Sequence, residues 1–206
     1  MGTGPVPLSE STLYPAEHRA LRELHATARR LASHWGRLAG RLGGAPAAPL
    51  RDGSVRARGL CGELAKETAR RGLHGLPAAQ GVGSQLAGLR NTADLGLERN
   101  QALRLAVGDA EHVTTLLLYL AALAERRDDA PLAAFHHRWA EEIAGARDAV
   151  RDAAIALAAD PEDAVRPAEP SALGRAGHAA ANTVGTLGEA FDGSPLGRAA
   201  RKLSGR

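Results

Sequence analysis

The chain has 206 residues, enough for one large or two small domains, and its lone cysteine, Cys61, excludes an internal disulfide or a cysteine-based zinc cluster. Its 44 alanines against 3 % aromatic residues favour helices, because alanine loses no side-chain entropy there and strands want branched or aromatic residues. The net charge of +3 hides an asymmetry: residues 1–107 carry +7, residues 108–172 carry −7 and residues 173–206 carry +3.

Residues 1–14 have no basic or apolar run of the kind that opens a secretory signal, and are expected to be a flexible N-terminus. Pro15 suits a first helical turn, and from there Leu21, Leu24, Ala28, Leu31, Trp35, Leu38 and Leu42 recur at alternating steps of three and four. That spacing predicts a helix to about Leu42 with one narrow face against a partner helix. Gly43-Gly44 and Ala45 to Pro49 predict a linker. A second helix is expected from an N-cap at Asp52 or Ser54 towards His74, with Val55, Leu60, Leu64 and Thr68 on one face. Glycine and proline at Gly75, Pro77, Gly81 and Gly83 predict a further break.

Ser84 is a candidate N-cap for a helix carrying Leu86, Leu89, Ala93 and Leu97, which either passes through Gly108 or restarts there with Asp109 as cap. The stretch to Arg127 is the most apolar of the chain. Val113, Leu116, Leu120 and Leu123 form one stripe, and Leu117, Leu118 and Tyr119 widen it, which predicts a central helix with neighbours on several sides. Asp128-Asp129 read as a tight turn. Pro131 then opens a helix through Leu132, Phe135, Trp139, Ile143, Ala146, Val150 and Leu157, so an antiparallel hairpin is expected from about Ala110 to Ala159. Pro161, Pro167 and Pro170 mark residues 161–172 as a linker. A Gly-rich helix and a basic tail are expected over 173–206.

Few constellations carry chemistry. Carboxylate-bridged metals in helical bundles need Glu-x-x-His on two helices, and only Asp109 to His112 approaches this, with Asp for Glu and no second copy. His137 and Glu141 stand four apart, the spacing of a metal pair and equally of a surface ion pair. His18 and His25 fall off the seam at partly solvated positions, and His136 beside Trp139 is read as boundary packing. Arg29-Arg30-Leu-Ala-Ser-His34 has the arginine–histidine spacing of the HEPN-type RNases, a family that usually carries a polar residue after the arginine. Trp35-Gly36 lacks the Trp-x-Gly spacing of the helical hairpins exported by type VII secretion. Gly81-Val-Gly-Ser84 lacks the lysine of a phosphate loop.

The sequence thus predicts an all-α, elongated antiparallel bundle of five or six helices. Its regions are a basic helical part at 15–107, an acidic hairpin at 108–160, the 161–172 linker and the 173–206 helix and tail. No cofactor and no membrane span are expected, and the compartment expected is the cytoplasm. Of the 26 basic residues, 24 are arginine, with only Lys66 and Lys202, a bias that fits a GC-rich bacterial coding sequence. The function expected is a non-enzymatic helical scaffold acting through protein–protein contacts, self-association included, with Gly177, Ala181 and Gly185 as a smooth docking ridge. One alternative is nucleic-acid binding through Arg22, Arg29, Arg30 and Arg37 on the first helix, against which Glu17 and Glu23 on the same helix count. A metal-dependent or RNase-like enzyme on a bundle is a second.

Overall fold

A computed structural model describes residues 13–71, 96–172, 174–179 and 183. Among them the chain forms an all-α bundle of four long helices, α1 (Pro15–Leu42), α2 (Gly44–Arg70), α3 (Arg99–Glu125) and α4 (Ala130–Ala156). A 3-10 turn follows at Leu157–Ala159, then the one-turn helix α5 (Pro161–Ala164). Helix α1 packs on α2 and α3, and α4 on α3 and α2, so each long helix has two principal neighbours.

Helix α1 forms where its seam predicts it. Tyr14 is the N-cap, its backbone N–H donating to Glu17 Oε2 at 2.7 Å, and Pro15 occupies the first turn, where no amide donor is needed. Every seam residue from Leu21 to Leu42 is buried, with Leu24, Ala28 and Trp35 at 0 % exposure. Gly43 and Gly44 then take positive φ of 61° and 57°, which lets the chain reverse in two residues.

The linker expected over residues 43–49 is therefore a correction: only Gly43 separates the helices, and α2 starts about ten residues before the expected cap. Pro46 falls in the first turn of α2, where its missing N–H costs nothing, while Pro49 forfeits one bond to the carbonyl of Ala45. Burial of Ala47 and Leu50 at 0 % exposure holds that turn in place. The earlier start also fixes the buried face as Ala47, Leu50, Ala57, Leu60 and Leu64, leaving Val55 59 % exposed. The break at residues 75–83 and the helix start at Ser84 lie outside the described residues.

Helix α3 runs unbroken through Gly108, so the boundary drawn between residues 107 and 108 falls inside one helix. The antiparallel hairpin of α3 and α4 is present. Its turn needs a left-handed residue, supplied by Asp128 with φ 57°, and Asp129 caps α4 by accepting from Leu132 N at 3.1 Å. The central position expected for the 113–123 stretch needs correcting. A four-helix square leaves an outer side on every member, and Leu118 and Tyr119 stand 48 % and 46 % exposed. Residues 161–172 are strapped to the bundle rather than hanging from it. Ala168 N donates to Leu97 O and Arg99 N to Arg166 O, both at 2.9 Å, Arg41 pairs with Glu169, and Ala168 is 2 % exposed.

One packing contact fixes the approach of α1 to α2. A Cβ placed on Gly53 would stand 2.0 Å from Trp35 Cζ3, and Trp35 is fully buried with its indole N–H donating to Ala106 O. Gly53→Ala is expected to lower stability by about 2 kcal/mol, although alanine is the better helix former. In a double-mutant cycle followed by urea unfolding, Trp35→Leu should remove most of that cost. Equal costs in both backgrounds would mean that the indole does not set the helix spacing.

Candidate functional site

Two surfaces and one buried polar end stand out. The first surface is the solvent side of α1. At 3.6 residues per turn, Arg19, Arg22, Arg29, Arg30 and Arg37 fall within an arc of about 100°, opposite the leucine seam. Arg19, Arg22, Arg29 and Arg30 meet no carboxylate among the described residues, and Arg37 is bonded to Ser33 Oγ. Of the two carboxylates of α1 only Glu17 leaves the surface, while Glu23 stays about half exposed at the edge of this face. Glu17 is fully buried against Arg127, at 2.9 Å, and Glu23 reaches across to His112 on α3, at 3.1 Å. Ser54 Oγ donates to Ala32 O, which sets one edge of α2 beside α1. Along that edge Arg51 and Arg58, about one turn to either side of Ser54, are exposed and again meet no carboxylate among the described residues.

The second surface is a groove of about 500 Å³ on the opposite hairpin, between the start of α3 and the end of α4. Val107, Ala154, Ile155 and Ala158 give it an apolar lining, with Arg104 and Arg151 beside them. Asn100 Nδ2 donates to Ala154 O at 2.8 Å, which ties the two helices at this point. Ile155 is 64 % exposed, and Leu105 on α3 43 %, so apolar area faces outward on this hairpin beyond what the bundle consumes. A polar groove of about 560 Å³ between α2 and α4 is spanned by an Arg56–Glu142 ion pair.

The buried polar end is formed by the α1 start, the α2 end and the α3–α4 turn. Arg127, 5 % exposed in its side chain, bridges Glu17 and Asp129, and Arg71 joins Asp129 at 3.1 Å and also pairs with Glu67. These ion partners and the N–H of Leu132 hold the Asp129 carboxyl below its usual range, against the opposing effect of burial. His136 lies at 0 % exposure, and among the described residues neither ring nitrogen has a hydrogen-bond partner. Burial first, then the Arg71 charge, pushes its pKa down to about 4, so the ring is neutral. This corrects its reading as boundary packing.

The remaining histidines separate in the same way. His34 turns inward to Asp109 Oδ2 at 2.9 Å, while Arg29 lies on the outer face, so these two do not meet as an arginine–histidine pair. His112 bonds Glu23 rather than Asp109, and His137 bonds Glu125 rather than Glu141. His18 and His25 are half-buried, and burial together with Arg29 lowers the His25 pKa. Among the described residues no three His, Cys, Asp or Glu side chains group as metal ligands. Burial pushes the Cys61 thiol up, keeping it protonated. Of the proposed ridge, Gly177 is half-buried within helical residues 174–179, while Ala181 and Gly185 lie outside the described residues.

No known family, curated protein or solved structure matches this chain.

Among the described residues four arginine–carboxylate pairs join the part before position 108 to the part after it: Arg41–Glu169, Arg56–Glu142, Arg71–Asp129 and Arg99–Asp163. The charge asymmetry is thus partly consumed inside the fold. Sequence reasoning missed Arg51 and Arg58, because α2 was started too late for its edges to be assigned. It also missed Arg104 and Arg151, since no local signal says that residues 47 apart share a groove. Among the described residues no helix is long and apolar enough to cross a membrane.

Proposed function

We propose that the protein is a helical adaptor that binds a partner helix in the groove between α3 and α4. The observation that carries this reading is an apolar lining with an arginine on each helix beside it. The complementary partner is an amphipathic helix that inserts one or two apolar side chains and carries Asp or Glu next to them. Arg104 meets no carboxylate among the described residues, so an incoming carboxylate breaks no existing pair there. Arg151 gives up only an exposed pair with Asp148, about half open to solvent on both sides and worth little. Apolar surface of this kind is expensive to leave in water at about 25 cal/mol per Å², which gives a partner its driving force.

The test uses a photocrosslinking residue at Ile155, with the equally exposed Val55 as control position, in cells of the native host. One protein should be captured from position 155 and not from position 55. That protein, purified, should bind the parent and lose at least about tenfold in affinity to Ile155→Asp or Arg104→Glu, each of which leaves the core untouched. Capture from both positions alike, or binding unchanged by both substitutions, would overturn the adaptor reading.

A further inference from the structure

We infer that the solvent face of α1, with the adjoining edge of α2, binds the sugar–phosphate backbone of double-stranded nucleic acid without reading its sequence. This surface lies on the hairpin opposite the apolar groove, so the inference stands or falls independently of the adaptor reading.

Composition alone explains why arginine is common here, but not how its partners are distributed. On the α3–α4 side, Arg127, Arg138, Arg147 and Arg151 each hold a carboxylate, and among the described residues Arg104 and Arg126 hold none. On the α1 face Arg19, Arg22, Arg29 and Arg30 hold none among the described residues, nor do Arg51 and Arg58 on the α2 edge. The fold actively produces this difference. Of the two carboxylates of α1, Glu17 is withdrawn into the buried pair with Arg127, while Glu23 leans towards His112 and stays about half exposed at the edge of the face; Arg41, at the end of α1, is neutralised by Glu169. The residues left between the arginines on that face are Ala26 and Ser33, small and uncharged, so among the described residues no bulky side chain stands between these arginines and a polyanion.

Dimensions and chemistry then select the ligand. From Arg19 to Arg37 the arginines extend about 27 Å along a straight helix, the length of about eight base pairs. Guanidinium forks match phosphate oxygens in pairs, and releasing condensed counterions supplies the binding free energy. No aromatic platform for stacking bases lies between Arg19 and Arg37 on this face, so contact stops at the backbone. DNA and RNA duplexes share that chemistry. The acidic hairpin on the far side repels the same ligand and leaves one productive orientation.

The test measures fluorescence anisotropy of the full chain with labelled 24-base-pair DNA and RNA duplexes from about 25 to 300 mM salt. Four to seven neutralised phosphates predict a log–log salt slope of about −4 to −6, the same for unrelated sequences. Arg19→Gln, Arg22→Gln and Arg29→Gln together, at exposed positions whose loss leaves the core intact, should flatten the slope by about 3 and weaken binding about tenfold or more at 50 mM salt. A matched control, Arg104→Gln, Arg126→Gln and Arg151→Gln, removes the same charge from the other hairpin and should change affinity by less than about threefold. Comparing the two duplexes tells which is preferred. No binding to either duplex at 25 mM salt overturns the inference. So does equal weakening by both triple variants, which marks diffuse attraction, and so does a preference for vesicles of anionic lipid over both duplexes.

Discussion

Between pH 7 and pH 4.5 the protein is expected to lose about 2–3 kcal/mol of stability through His136 alone. The sign follows from the direction of its shift. In the unfolded chain the ring titrates near its ordinary value of 6.5, whereas in the fold burial and the Arg71 charge push it down to about 4. The unfolded state therefore takes up a proton first. Stability is whole above about pH 6.5 and falls as the pH drops towards 4, where the folded ring begins to protonate as well. Asp129, the carboxylate facing the ring, works against this without reversing it, and His137 adds to the lowering. His136→Leu keeps the volume near that of imidazole and removes two buried nitrogens that have no hydrogen-bond partner among the described residues. Urea unfolding of this variant should match or exceed the parent at pH 7 and lose most of the slope between pH 6.5 and 4.5. A parent whose stability is flat over that range would mean that water reaches the ring.

Glu17→Gln is expected to cost about 3 kcal/mol, because it takes one charged partner from a buried guanidinium. Arg127 is 5 % exposed and Glu17 fully buried, so neither finds water to replace the lost partner, and Asp129, 3.3 Å from Arg127, compensates only in part. The N–H of Tyr14, which opens α1, loses a charged acceptor in the same change. The paired replacement Glu17→Leu with Arg127→Met should recover most of the loss, since two apolar residues in place of a buried ion pair remove the desolvation cost together with the attraction. Chemical denaturation of both variants checks this. A single variant within about 0.5 kcal/mol of the parent would mean that the pair is hydrated and contributes little.

Much of the architecture was legible because helical periodicity is local. The α1 seam needs only residues three and four apart, and the α3–α4 hairpin needs two periodic runs with a short acidic turn, so both were readable from single stretches of sequence. The linker at 43–49 was misread because composition was weighed without position. Pro46 in a first turn leaves a helix intact, and two glycines at positive φ make seven connecting residues unnecessary. The apolar excess of the 113–123 stretch was also visible, but which part of it turns outward depends on how many helices pack around α3.

The candidate surfaces divide along the same line. Helix geometry alone places five arginines of α1 on the side away from its leucine seam, so that arc is readable from one stretch of sequence. Which of the carboxylates on α1 stay beside those arginines depends on partners from other helices, so Glu17 and Glu23 both stand against a phosphate-binding role as long as α1 is considered alone. Folding brings Arg127, 110 residues away, over Glu17, which buries that carboxylate, and His112, 89 residues away, beside Glu23, which stays about half exposed. The physical reason is that a side chain's face follows from its own helix, whereas its charge is cancelled or exposed by partners that only folding brings near.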